Sequence, residues 1–198
     1  MLGNNSHSQL KHAFLVSVGT FFLAIFISFF SELAINKFQN ILFAILLLLF
    51  IVVIGIIFDM IGMAATAADE APFHAKAAKK VSGSKQSLRL LGNADKVANF
   101  CNDVVGDICG TVSGALGAAI VYEVTRNSGL STAESAISLI VTGLVAALTV
   151  GGKAVGKKFA IDQSEDIIFR VGQLLAQIEH YTGIKLFAKK KRRQREKV

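Results

Sequence analysis

Four long runs of apolar residues, separated by short polar stretches, dominate the chain and predict an all-α integral membrane protein. The runs fall at about 12–34, 41–63, 97–121 and 133–155. Each is long enough to cross a hydrocarbon core of about 30 Å as a helix. The first is rich in phenylalanine (Phe21, Phe22, Phe26, Phe29, Phe30) and nearly free of ionisable groups, so it is expected to face lipid. The second is aliphatic until Asp59. A polar N-terminus, 1–11, precedes this four-helix transmembrane domain, 12–160.

The polar connector 67–96 predicts two short amphipathic helices at the membrane surface. Asp69 is placed to cap the first, with Pro72 in its opening turn. Ser82-Gly83 should break it, and Gly92 should stop the second after Leu91. Asn93 or Asp95 could then cap the third span. Beyond the fourth span, residues 161–198 read as an amphipathic juxtamembrane helix and a polybasic tail. Ser164 looks like an N-cap, followed by Glu165 and Asp166, and Ile167, Ile168, Val171, Leu174, Leu175 and Ile178 share one side.

Charge sets the expected orientation. The formal net charge is +7, with most of the excess in the last ten residues. Connector and tail are basic, whereas the loop near 122–131 holds only Arg126, so both termini are expected in the cytoplasm. The expected location is the plasma membrane, or the inner membrane of a bacterium. Lys189, Lys190, Lys191, Arg192, Arg193 and Arg195 should contact anionic lipid rather than nucleic acid. Cys101 and Cys109 lie eight apart on one span, a spacing that suits neither a disulfide nor a zinc pair. The chain contains no nucleophile elbow, phosphate loop or metalloprotease helix, so an enzyme is not expected.

The third span carries the least ordinary chemistry. Asn102, Asp103 and Asp107 interrupt its apolar run, and small residues recur at Gly106, Gly110, Gly114 and Ala118. Such a stripe lets another helix approach closely, and Gly143, Ala147 and Gly151 repeat it on the fourth span. Carboxylates in hydrocarbon cost about 3 kcal/mol each, so they usually face a partner, a cavity or a cation. In the inferred topology Asp59, Asp103, Asp107 and Lys153 all fall in the cytoplasmic half of the bilayer. Three spans thus deliver ionisable groups to similar depth, as a cation site would require.

The stretch AADEAPFHAKAAKKVSGSKQSLRLLGNADKVANFCNDVVGDICGTVSGALGA (67–118) resembles the middle of the transmembrane domain of the CorC/CNNM magnesium-export family. LRLLGNADKV (88–97) is similar to the family's junction between connector and span, and VSGALGA (112–118) to the span that follows. GGKAVGKKFA (151–160) is similar to its Gly-Glu-x-x-Pro-Lys signature. The resemblance covers about 55–180 and implies a homodimeric domain that exports dehydrated Mg2+. It places Asp59 near a hydroxyl ligand of the family, Gly62 near a membrane glutamate, Gly152 at the signature glycine and Lys157 at the terminal lysine. The chain departs where the signature glutamate is Lys153 and the proline is Gly156. Regulation by the family's nucleotide-sensing domains is not expected.

Residues and resemblance together give a set of hard oxygen ligands for Mg2+: Asp59, Asn102, Asp103, Asp107 and carbonyls bared at Gly110 and Gly152, with Thr66 and Thr111 as hydroxyl candidates. No organic cofactor is expected. Lys153 is expected to serve as ion-pair partner or coupling group. The alternative is a non-transporting scaffold of the same fold, in which Lys153 neutralises the buried aspartates.

Overall fold

The computed structural model describes residues 14, 16–29, 32–33, 41–128 and 134–183. Regular structure among them is entirely helical. In chain order the helices are α1 (Val16–Phe29), α2 (Ile41–Ala67), α3 (Ala71–Ala78), α4 (Ser84–Leu91), α5 (Ala94–Ala98), a π-helical segment (Asn99–Gly106), α6 (Asp107–Ser128), α7 (Glu134–Asp162) and α8 (Ser164–Thr182).

Among the described residues, three continuous helices are long and apolar enough to cross a membrane: Ile41–Ala67, Ala94–Arg126 and Ser135–Asp162. Each extends past the end expected from hydropathy, because an α-helix continues through polar residues until a breaker or cap stops it. α1 is apolar but shorter than a full crossing needs, and residues 12, 13, 15, 30, 31 and 34 of the expected first span lie outside the described residues. The expected N-terminus 1–11 and the basic tail lie outside them too.

The chain divides into two compact units, one drawing on 1–59 and 101–156, the other on 60–100 and 157–198. The first is built on a seam along α2. Ala44, Leu48, Ile51, Val52 and Gly55 recur three or four residues apart and are buried, and Asp59 continues the line. Facing side chains come from Ile108, Cys109, Val112 and Leu116 of α6 and Val145 of α7, with Leu23, Ala24 and Ile27 of α1 half-buried against them. Close approach occurs where a glycine leaves room. A Cβ on Gly55 would lie 2.9 Å from Cys109 Cβ, and one on Gly117 would lie 3.4 Å from Val145 Cγ2. Gly110, Gly114, Gly143 and Gly151, four members of the expected small-residue stripes, face open space instead. The three-per-turn and four-per-turn lines of a glycine-rich helix lie side by side, so spacing alone does not tell which one meets a neighbour.

The second unit centres on α4, which packs against α3, α5 and α8. Helix α3 begins after Glu70, and the Ala71 amide donates to Asp69 Oδ1 at 3.2 Å, so Asp69 caps it from one residue further out than a standard N-cap. The helix closes on a Schellman turn: Val81 N donates to Lys76 O and Lys80 N to Ala77 O, each at 3.0 Å. Lys80 sits in the left-handed region (φ 57°), and Gly83 follows at φ 87°. Helix α8 has Gln163 at its N-cap, so Ser164 is its first helical residue rather than the cap.

The α4–α8 contact is made by backbone as much as by side chain. The buried Ser87 hydroxyl is shared between Gly83 O and Ile168 O, each at 3.1 Å. Arg89 Nη1 and Gln86 Nε2 donate to the two oxygens of Glu179 at 2.7 and 2.8 Å. This is a tight, charge-assisted pair with a neutral third member.

Candidate functional site

Asp59 lies one helical repeat beyond Gly55 on the buried seam of α2, so the packing that buries Leu48 and Val52 also draws its carboxylate inward. Asp59 is 4% exposed. α7 brings Lys153 to it: Nζ stands 3.9 Å from Asp59 Oδ1 and 3.5 Å from Gly106 O. Three helical segments therefore meet at one depth, contributing a carboxylate, an ammonium and a backbone carbonyl.

Gly106 is the last residue of the π-helical segment. Such segments close hydrogen bonds one residue further along the chain than an α-helix does, and they recur at functional sites. The absence of a side chain matters here, since a Cβ on Gly106 would lie 3.2 Å from Lys153 Nζ. A side chain there would crowd the ammonium, so the glycine eases the approach of Lys153 to the carbonyl. The same segment carries Asn102, whose Oδ1 is buried with no hydrogen-bond donor from the described residues. Asp59 Oδ2 is in the same condition. Buried acceptors are nearly always paired, so each of these atoms marks its own surroundings as unusual.

The remaining expected ligands are placed elsewhere. Asp103 and Asp107 are exposed. They precede the uncharged stretch 108–122 of a 33-residue helix. At about 1.5 Å per residue that helix is longer than the hydrocarbon is thick, so Asp103 and Asp107 can sit at its polar edge. Among the described residues no three His, Cys, Asp or Glu side chains converge as a metal cluster would. Gly110 is open to its surroundings, and Gly152 packs under Ile56, leaving no room there for a Cβ. The Thr66 and Thr111 hydroxyls are exposed and donate to Met63 O and Asp107 O of their own helices, both at 2.9 Å. Cys101 and Cys109 are buried free thiols.

Of the residues that meet here, sequence reasoning named Asp59 and Lys153 and missed Gly106, whose carbonyl accepts from Lys153. The signal for Gly106 was its membership of the small-residue stripe, which pointed to packing rather than to a carbonyl beside Lys153. Comparisons with protein-family models, with curated proteins and with solved structures found no match.

Proposed function

We propose that this chain is a membrane carrier for a small hard cation, with Mg2+ the first ion to test. Asp59 is the ion's carboxylate and Lys153 its tethered competitor. One contrast within the chain carries this reading. Where a salt bridge is structural, as between Arg89 and Glu179, the atoms close to 2.7 Å. Lys153 stops at 3.5 and 3.9 Å from its two acceptors and leaves Asp59 Oδ2 without a donor. An ammonium held this loosely in an apolar seam is one that an arriving cation can displace.

The chemistry of exchange follows. Mg2+ keeps several waters and is commonly held by one or two carboxylates, so Asp59 with the Gly106 carbonyl forms a plausible minimal set. Lys153 must withdraw before a divalent ion can sit on the carboxylate, and its four-carbon stem permits this. When no ion is present the ammonium restores neutrality and spares the seam an isolated charge. Both termini and the segment 67–96 lie on the cytoplasmic side in this reading, supported by the lysine and arginine distribution. The motif resemblance adds the direction, export.

The test is Mg2+ flux by the full chain in proteoliposomes carrying an Mg2+-sensitive dye. Flux above that of empty vesicles is expected for the natural chain and should fall to the empty-vesicle rate in Asp59→Asn. Flux that survives in Asp59→Asn would remove the site.

A second reading is favoured by the exposure of Asp103 and Asp107 and by the single carboxylate near Lys153. In it the pair is purely structural, and the chain is a membrane scaffold that moves no ion. Vesicles would then show no flux with any variant.

A further inference from the structure

Helix α8 has three faces, and α4 packs on one of them. Ile168, Gly172 and Glu179 lie on the side that meets α4. Gln173, Gln177 and His180 form an exposed polar side. Between them runs an apolar line at helical spacing. Ile167 and Val171 are half-buried, and Leu174, Ile178 and Tyr181 are 59%, 46% and 88% exposed. The α4 contact holds this line in place, since the Ser87 and Arg89 bonds fix the rotation of α8 about its axis.

We propose that the Leu174–Ile178–Tyr181 line is seated at the headgroup–acyl boundary of an anionic leaflet, and that the basic run after the helix holds it there. The inference stands apart from the cation reading. Its first support is charge. Lys189, Lys190, Lys191, Arg192, Arg193 and Arg195 begin six residues beyond Gly183, which ends α8 in a left-handed turn. At no more than about 3.6 Å per residue the intervening chain spans about 20 Å, which bounds how far from the helix the basic run can begin. Near an anionic surface each such cation contributes about 1 kcal/mol. A second copy of the chain would bring a second block of like charge to the same place, and repulsion disfavours it. The second support is the form of the line itself. A few exposed apolar side chains bind a bilayer only marginally, and a neighbouring basic cluster is the usual second signal. Tyr181 suits the boundary, with an apolar ring and a polar hydroxyl.

The chain contains no tryptophan, so one introduced residue reports alone. The full chain would be placed in nanodiscs carrying lipids brominated on their acyl chains, with Leu174→Trp, Tyr181→Trp or, on the polar side, Gln177→Trp. Leu174→Trp and Tyr181→Trp should emit to the blue of Gln177→Trp and be quenched by the brominated lipid in anionic discs. Quenching should weaken in purely zwitterionic discs and at high salt. Quenching at Leu174→Trp and Tyr181→Trp no greater than at Gln177→Trp would overturn the proposal. Blue-shifted emission without quenching would also overturn it, by showing that protein covers the line. Equal quenching in both lipid compositions would overturn the role of the basic run. All three positions are exposed, so the substitutions leave the α4 contact intact.

Discussion

Lys153→Met is expected to destabilise the protein by about 3 kcal/mol, the cost of stranding a buried carboxylate whose cation has gone. Asp59 sits on the packed seam of α2 with little access to water, so it cannot recover its solvation without opening the helix contacts around it. The reverse change should cost less. In Asp59→Asn the ammonium keeps Gly106 O, and its side chain is 21% exposed, so it can reach toward the polar edge. The double variant Asp59→Asn with Lys153→Met removes both charges and should recover most of the loss. Thermal melting of the four proteins in one detergent closes this cycle. A single Lys153→Met variant that melts with the natural chain would mean the pair contributes nothing. Adding Mg2+ to the same melts separates the two functional readings. If a cation can take the place of the ammonium, Mg2+ should raise the melting temperature of Lys153→Met more than that of the natural chain. If the pair is only structural, Mg2+ should move neither.

The second, third and fourth apolar runs were legible as long helices because an apolar run about 20 residues long has few alternatives. The short helices were legible from breakers: Ser82-Gly83 and Gly92 fall in the turns flanking α4. What the pattern could not convey was rotation. Asp59, Asp103, Asp107 and Lys153 all looked alike as ionisable residues near span ends. Burial separates Asp59 from the two exposed aspartates because it depends on which side of each helix meets its neighbour. The π-helical segment adds a second obstacle, since it shifts the facing of Cys101 and Asn102 relative to α6, and an α-helical projection of the sequence does not include that shift. Gly106 illustrates both effects. Its place in a four-residue repeat was visible, but its use as an acceptor beside Lys153 depends on the turn that ends at it.

Gly172→Ala is the change expected to act most strongly on the second unit. A Cβ there would collide with Ser87 Oγ, lie 2.7 Å from Gly83 O and stand 3.0 Å from Ser87 N. Two of those three atoms are backbone, so no side-chain rotation relieves the overlap. Overpacking of this kind costs about 3 kcal/mol at the upper end. Alanine in a helix interior returns about 1 kcal/mol over glycine, leaving a net loss of about 2 kcal/mol. Ser87→Ala alone should cost about 1 kcal/mol, since it removes one buried hydroxyl bond to Gly83 O and Ile168 O. Combining the two removes the Oγ collision but not the backbone contacts, so Ser87→Ala should rescue Gly172→Ala only in part. Hydrogen exchange on the full chain reads this directly. Faster exchange of α4 and α8 amides is expected in Gly172→Ala, while the amides of the α2 seam from Leu48 to Val52 keep their protection. Unchanged exchange in α8 would show that the helix can shift away from Ser87 at little cost. The glycine would then be there for some reason other than close approach.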